Sequence, residues 1–154
     1  MIWQTDRIKF HFVSSLFYFQ KRTELKSFLL KLFKNEGYKV AAINYIFCTD
    51  EYLLKINQEY LHHDTYTDIV TFDFSKGQEP IVADIYISVE RIRENSILYH
   101  SGFNKELHRV IFHGALHLSG YRDKTPDEAT SMRNKEDYYL RKYFVPREIK
   151  TPKS

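Results

Sequence analysis

The stretch HGALHLSGYRDK, residues 113–124, holds the side chains that are the clearest candidates for metal binding or catalysis. His113 and His117 stand four residues apart, and Asp123 follows the second histidine by six. Residues four apart on a helix are separated by about 40° around its axis, so both imidazoles project from one face. Such a pair can hold one metal ion.

The residues after the histidines supply a third ligand. Gly120 predicts the end of the helix and a reversal of the chain, which would bring Asp123 back towards the histidines. Two imidazoles and a carboxylate leave a position open for water, whose pKa a metal can lower to roughly 7. His108 lies about 140° from His113 around the helix axis and is not expected to be a ligand.

Gly114 argues against one class of zinc enzyme. Zinc peptidases with this histidine spacing place a glutamate after the first histidine as general base. Glycine has no side chain to take that role, so a peptidase is disfavoured.

Two further stretches carry polar residues where apolar ones would be expected. Asp64, Thr67 and Asp68 precede a predicted strand, where they either serve a functional site or form an ordinary turn. Asp84 interrupts the run IVADIYIS. It is either an outward-facing strand residue or an acceptor for a histidine N–H.

The elements that must position these side chains form an α+β domain over residues 1–154. Alternation over 7–13 and the apolar run 39–48 predict two strands, and 68–74 with 81–88 predicts a hairpin. The result is a small mixed sheet of about four strands flanked by helices, with the metal site on a helix and the turn after it.

Helices are predicted wherever apolar residues recur at helical spacing. The predicted ranges are 23–37, 49–61, 89–102, 104–120 and 125–144. Thr23, Thr49 and Asn104 are the predicted N-caps, and the helices are predicted to end at Gly37, Gly102 and Gly120. Thr125 and Glu128 form a capping box around Pro126 at the start of the last helix. Residues 145–154 are expected to form a loose basic tail.

Composition indicates an ordinary globular protein of the cytoplasm. Hydrophobic residues make up 43% of the chain and charged residues 28%. The 12 Phe and 12 Tyr predict a core built largely from rings, and the single cysteine, Cys48, excludes a disulfide within the chain. The start has no signal-peptide pattern, and the apolar stretch 10–19 is too short to span a membrane.

Charge is unevenly distributed. Residues 1–39 contain eight basic and three acidic side chains, and residues 141–154 contain five basic and one acidic. Residues 40–140, in contrast, contain ten basic and sixteen acidic side chains. This pattern fits either a phosphate-binding surface beside a cation site or ordinary solvated helix faces.

Taken together, these stretches resemble the YbeY family of bacterial metal-dependent endoribonucleases. HGALHLSGY matches the family pattern H-G-x-L-H-L-x-G-Y-D-H, INQEYLHHDTYTDIVTF resembles L-N-x-x-Y-R-x-x-D-x-P-T-D-V-L-S-F, and ADIYIS resembles G-D-I-x-I-S. Order and spacing agree from about residue 56 to 140, whereas the N-terminal third agrees only in its strand–helix–strand outline.

The resemblance implies a mixed sheet flanked by helices and one metal held by three histidines. It also implies a role in maturing the 3′ end of 16S ribosomal RNA and in ribosome quality control. The expected partners are ribosomal RNA and the small ribosomal subunit, with ribosomal proteins or an assembly GTPase as further candidates. Zinc is the expected ion, with manganese or nickel as alternatives.

The chain departs from the family pattern at positions that matter for chemistry. Asp123 stands where the family has its third histidine, and a carboxylate there weakens the metal as a Lewis acid and suits a harder ion. Leu61 replaces the family arginine, and Arg122 is the candidate replacement for its charge, with His62 or His63 as weaker ones. Tyr66 replaces a proline and Ala83 a glycine.

Two functions remain open from the sequence. One is a metal-dependent endoribonuclease, with Arg122, Asp68, His113 and His117 as candidate catalytic residues and His113, His117 and Asp123 as metal ligands. The other is a metal-containing ribosome-assembly factor that binds ribosomal RNA without cleaving it.

Overall fold

The computed structural model describes residues 5–13, 17, 19–63, 66–75 and 79–149, with side chains in helix 126–149 described up to residue 145. Its strands are β1 (Ile8–Phe12), β2 (Val40–Cys48), β3 (Ile69–Asp73) and β4 (Ile81–Ser88). Its helices are α1 (Arg22–Asn35), α2 (Asp50–Leu61), α3 (Val89–Leu98), α4 (Phe103–Leu118) and α5 (Pro126–Ile149).

The four strands form one mixed sheet in the order β1-β2-β4-β3. β1, β2 and β4 are parallel, and β3 pairs antiparallel with β4, as expected for the predicted hairpin. The α+β class and the mixed sheet flanked by helices are therefore confirmed. β3 is an edge strand, so one side of its backbone faces outwards.

The core lies between one face of the sheet and helices α1, α4 and α5. Alternate residues of the strands point into it, and α4 contributes an apolar face that is almost completely buried. Aromatic rings fill much of this volume, as the composition predicted, with Phe33, Phe47 and Phe112 fully buried. Cys48 is buried on the other face of the sheet, beside Leu53 of α2.

Several helix ends follow the predicted signals. Thr49 caps α2 by accepting a hydrogen bond from Tyr52 N at 3.2 Å. Thr125 and Glu128 form the capping box of α5, each accepting from the other's backbone N–H at 3.1 Å. These signals act through local backbone geometry, which is why the sequence predicts them well.

Other ends differ from the prediction. α1 begins at Arg22 after Lys21 in a left-handed conformation, so Thr23 is not its cap. α4 begins at Phe103 after Gly102, which makes Asn104 a helical residue. α3 ends at Leu98, four residues before Gly102, because His100 already adopts a positive φ of 53° that stops the helix.

The prediction of a loose tail is wrong for residues 145–149. The backbone of α5 continues to Ile149, so these residues prolong the helix, and 150–154 lie outside the described residues. No helix in the described part of the chain is long and apolar enough to cross a membrane.

Gly114 is the point of closest approach between α4 and the sheet. A Cβ built there would lie 3.0 Å from Ile69 Cδ1 of β3 and 3.2 Å from Ile85 Cγ2 of β4. Both distances are shorter than an ordinary carbon–carbon contact of about 3.5–4.0 Å. Glycine at this position therefore lets α4 lie directly on the strands.

We expect Gly114→Ala to lower the free energy of unfolding by about 1–2 kcal/mol, since overpacking outweighs a gain in helix propensity of about 1 kcal/mol. Thermal or urea unfolding of the metal-free protein measures this. Asn134→Ala, at an exposed position of α5, is the matched control and should be neutral or stabilising. A stabilised Gly114→Ala protein would contradict the packing argument.

Candidate metal centre

α4 presents His113 and His117 side by side at the surface of the core. Their side chains are 20% and 32% exposed, and their ring centroids lie 4.6 Å apart with the ring planes nearly perpendicular. The spacing of four residues on one helix produces this arrangement, as predicted. Both imidazoles can therefore reach one ligand from the solvent side.

The loop after α4 brings Asp123 to the two histidines. Gly120 has a φ of +98°, a conformation that favours glycine, and it turns the chain back over the last turn of the helix. Asp123 Oδ2 lies 3.4 Å from His113 Nε2 and 3.4 Å from His117 Nε2. The three residues predicted as ligands are thus brought together by the fold.

These distances fit ligands that share a cation. At 3.4 Å, both N···O separations exceed the 2.7–3.2 Å of an ordinary N–H···O hydrogen bond. Two atoms bound at about 2.0–2.1 Å to a tetrahedral ion lie roughly 3.3–3.4 Å apart. The donor atoms of His113, His117 and Asp123 all lie within 4.8 Å of one another, so the residues present fit a divalent ion.

Glu136 of α5 fixes the orientation of His113. The Nδ1–H of His113 donates to Glu136 Oε2 at 2.6 Å, which leaves Nε2, the ring nitrogen nearest Asp123, as the atom that could bind a metal. The other oxygen of Glu136 accepts from Arg109 at 3.0 Å. Burial lowers the pKa of His113, but the hydrogen bond and charge of Glu136 outweigh this and hold the pKa above its ordinary value.

The sequence did not single out Glu136, although a signal was present. Glu136 is 5% exposed and lies on the buried stripe of α5 with Met132, Tyr139 and Leu140. A carboxylate on an otherwise apolar stripe requires a partner, because an unpaired buried charge is costly. That requirement points to a cation or a histidine across the interface.

Asp68 lies next to the metal-ligand cluster, just before β3. Its pKa is raised by burial, an effect partly offset by the charge of His113. Thr67 precedes it and donates through Oγ1 to the Ile69 carbonyl at 3.4 Å, which is turn chemistry. Asp64, the third polar residue of that stretch, lies outside the described residues.

The candidates for the missing arginine lie at the rim of the site. Arg122 is exposed and makes no hydrogen bond or ion pair within the described part of the chain. His62 ends α2 in a left-handed conformation, and His63 N donates to Asn57 O at 3.1 Å. Leu61, at the family arginine position, is 37% exposed.

Two other predicted positions lie away from the cluster. Asp84 is on the sheet face opposite α4, where it accepts from Asn44 Nδ2 at 3.1 Å, and the acceptor of the His113 N–H is Glu136 instead. His108 is buried among aromatic rings, and its Nδ1 bonds the Asn104 carbonyl at 2.8 Å. It is not in the ligand cluster, as expected.

Two depressions meet at the cluster. The first, which we term the β3 groove, has a volume of about 750 Å³ and follows β3 from Thr67 to Asp73, with Leu61 and His63 opposite. The second, which we term the helical pocket, has a volume of about 350 Å³ and lies among α3, α4 and α5. Both are lined by Asp68, His113 and Asp123, so the site opens in two directions.

Comparison with known proteins places this geometry in a family. The family model described as Endoribonuclease YbeY matches residues 15–144, which is most of the chain. The chain belongs to the YbeY family. The resemblance to this family is therefore confirmed.

Curated relatives agree with this assignment, and a solved structure shares the fold. Endoribonuclease YbeY of Cytophaga hutchinsonii is 50% identical over 121 residues, covering 79% of this chain and 85% of the relative. The Flavobacterium johnsoniae protein of the same name is 52% identical over 112 residues, covering 73% and 77%. A Thermotoga maritima protein solved in solution shares the fold, with a TM-score of 0.65 at 23% identity over 94% and 93% of the two chains.

The contact between Glu136 and His113 predicts a defect in metal affinity. We expect Glu136→Gln to weaken zinc binding by about tenfold or more, because the neutral amide orients and polarises the imidazole less well. Competition with a chromophoric chelator at fixed pH measures the affinity. Asp137→Asn is the control. Asp137 also forms an ion pair with Arg109, at 2.8 Å, but the carboxylate that His113 Nδ1 contacts is that of Glu136. Equal losses in both variants would assign the effect to Arg109.

Proposed function

We propose that this protein is a metal-dependent endoribonuclease that matures the 3′ end of 16S ribosomal RNA and acts in ribosome quality control. The observation that carries the proposal is the convergence of His113, His117 and Asp123 at the junction of two open depressions. Membership of a family whose curated relatives are named endoribonucleases supports the reaction class.

The two openings support cleavage within a strand. An enzyme that cuts inside an RNA must hold nucleotides on both sides of the scissile phosphate. The β3 groove and the helical pocket provide space on both sides of the ligand cluster, and Asp68 lies where they join. A strand that entered along one and left along the other would pass over the histidines.

A divalent ion bound by His113, His117 and Asp123 would polarise a phosphate oxygen and lower the pKa of water at the site. We propose zinc, with manganese or nickel as alternatives, because the donor set contains two imidazoles and one carboxylate. The carboxylate of Asp123 adds negative charge and so reduces the Lewis acidity of the ion relative to a set of three histidines.

Asp68 is suited to hold a proton during the reaction. Burial raises the pKa of its carboxyl group, which brings proton transfer closer to neutral pH than for an exposed aspartate. Arg122 lies in the same loop, directly before Asp123, and its side chain is exposed to solvent, where a phosphate could approach it. A guanidinium matches phosphate geometry through two parallel N–H donors, so we assign Arg122 to stabilising charge on the transferring phosphate.

Two alternatives are less well supported. A peptidase would need a glutamate at position 114, where the Cβ alone would already contact Ile69 and Ile85. A non-catalytic assembly factor would use the same metal and RNA contacts, but the curated relatives are named as endoribonucleases. We propose action in the cytoplasm on ribosomal RNA and the small ribosomal subunit, with ribosomal proteins or an assembly GTPase as further partners.

Removal of a ligand or of the metal should abolish cleavage. We expect His117→Ala and Asp123→Ala to lose metal and to reduce cleavage of structured ribosomal RNA by about 100-fold or more, as should chelation of the wild type. Metal content and cleavage are measured on the same preparations. Variants that lack metal but cleave like the wild type would reveal a contaminating nuclease or a wrong site. Binding of pre-ribosomal particles without cleavage by any form would support the assembly factor.

Replacement of Asp68 should separate catalysis from metal binding. We expect Asp68→Asn to lower the rate constant for cleavage by about 100-fold with metal affinity nearly unchanged, because the amide cannot accept a proton. Asp73→Asn is the control, since Asp73 lines the same groove at the far end of β3. If both variants cleave equally well, Asp68 has no role in proton transfer.

A further inference from the structure

Glu36 collects three side-chain donors away from the metal ligands. Its carboxylate accepts from the Tyr121 hydroxyl at 2.9 Å, from Lys135 Nζ at 3.2 Å and from the Tyr139 hydroxyl. We call this group of four residues the Glu36 clamp. It joins the end of α1, the loop after α4, and α5.

The clamp is a charged interaction in a largely enclosed place. The Glu36 side chain is 10% exposed. Burial by itself raises the pKa of Glu36, but the hydrogen bonds from Tyr139, Tyr121 and Lys135 outweigh it and hold the pKa below its ordinary value. The carboxylate therefore stays ionised and keeps all three donors.

The loop that carries Asp123 is fixed on both sides of that residue. On one side, Tyr121 N donates to Leu116 O at 3.0 Å, and the Tyr121 side chain reaches Glu36. On the other side, the backbone N–H groups of Lys124 and Thr125 both donate to Glu128 Oε1 at 3.1 Å.

Asp123 itself has few contacts to hold it. Its side chain is 38% exposed, and within the described part of the chain its recorded contacts are those with His113 and His117. A flexible carboxylate in that setting loses entropy on meeting a metal unless its backbone is already placed. The anchors on either side of Asp123 therefore decide where the third ligand lies.

We propose that the Glu36 clamp holds Asp123 in its ligand position through Tyr121, which makes Glu36 and Tyr121 positioning residues of the metal site. The inference rests on the proposed metal site and adds to it a dependence on a residue from the end of α1. Lys135 and Tyr139 contribute by keeping the Glu36 carboxylate in place. Tyr121 is the member of the clamp that belongs to the ligand loop; its hydroxyl bonds Glu36, and Lys135 Nζ lies 5.9 Å from the centre of its ring.

Two tyrosines of the clamp provide a matched test. Tyr121→Phe and Tyr139→Phe each remove one hydroxyl from the same carboxylate, but Tyr121 belongs to the ligand loop and Tyr139 to α5. Tyr139 is the more buried of the two, at 2% exposed, so its loss should cost at least as much stability. We expect Tyr121→Phe to weaken zinc binding by about tenfold and Tyr139→Phe by about twofold or less.

The measurements use the full chain in its metal-free and metal-loaded forms. Zinc affinity is obtained by chelator competition, the visible spectrum of the Co²⁺-substituted protein reports its coordination, and thermal unfolding of the metal-free protein reports stability. Tyr121→Phe is then combined with Asp123→Asn, which keeps an oxygen donor at the ligand position. If the clamp acts through Asp123, the added Tyr121→Phe changes affinity little in that background, and the spectrum of Tyr121→Phe moves towards that of Asp123→Asn.

Three results would overturn the proposal. Equal effects of Tyr121→Phe and Tyr139→Phe on zinc affinity would reduce the clamp to a general stabilising contact. If Tyr121→Phe keeps the zinc affinity and the Co²⁺ spectrum of the wild type, Asp123 reaches its ligand position without the Tyr121 hydroxyl. A wild-type protein that binds neither Zn²⁺ nor Co²⁺ would remove the metal site itself, and with it both the clamp's role and the proposed function.

Discussion

The contact between α4 and the sheet at Gly114 is the constraint on which the site depends. With no side chain at that position, the helix lies against Ile69 and Ile85, and His113 is brought next to the start of β3. A larger residue would crowd the side chains of Ile69 and Ile85, which hold α4 against the strands. The same closeness leaves no space for a catalytic side chain on α4 between the histidines and the sheet. Groups that handle protons must therefore come from the strand or from the loop.

Behind the histidines, a buried carboxylate links the site to the core. Glu136 divides its two oxygens between Arg109, a permanent cation, and the Nδ1–H of His113. A buried carboxylate with one partner removed is strongly destabilising, so the orientation of His113 and the packing of α5 on α4 depend on each other. The candidate metal site is thus part of the α4–α5 interface, and a change in either should alter the other.

Sequence reasoning succeeded where the signal is local. The hairpin, the capping box of α5 and the paired histidines all depend on residues within a few positions of one another, and each appears in the structure as expected. The three family motifs are also local, and their residue types, order and spacing together indicate the family.

The sequence does not predict features that depend on contacts between residues far apart in the chain. Glu136 lies 23 residues from His113 and Glu36 lies 85 from Tyr121, so no periodicity connects them. The helix ends at Lys21 and His100 are set by left-handed residues that are neither glycine nor asparagine, for which the sequence gives no warning.

The exposure of the three candidate ligands has a kinetic consequence for any ion that they bind. His113, His117 and Asp123 are 20%, 32% and 38% exposed, so water and competing chelators reach the donor atoms from outside. A bound ion would be able to leave in steps, with the most exposed carboxylate released first and without local unfolding. Its residence time would then be short compared with that in a closed structural zinc site. The free concentrations of metal ions around the protein would therefore decide which ion occupies the site.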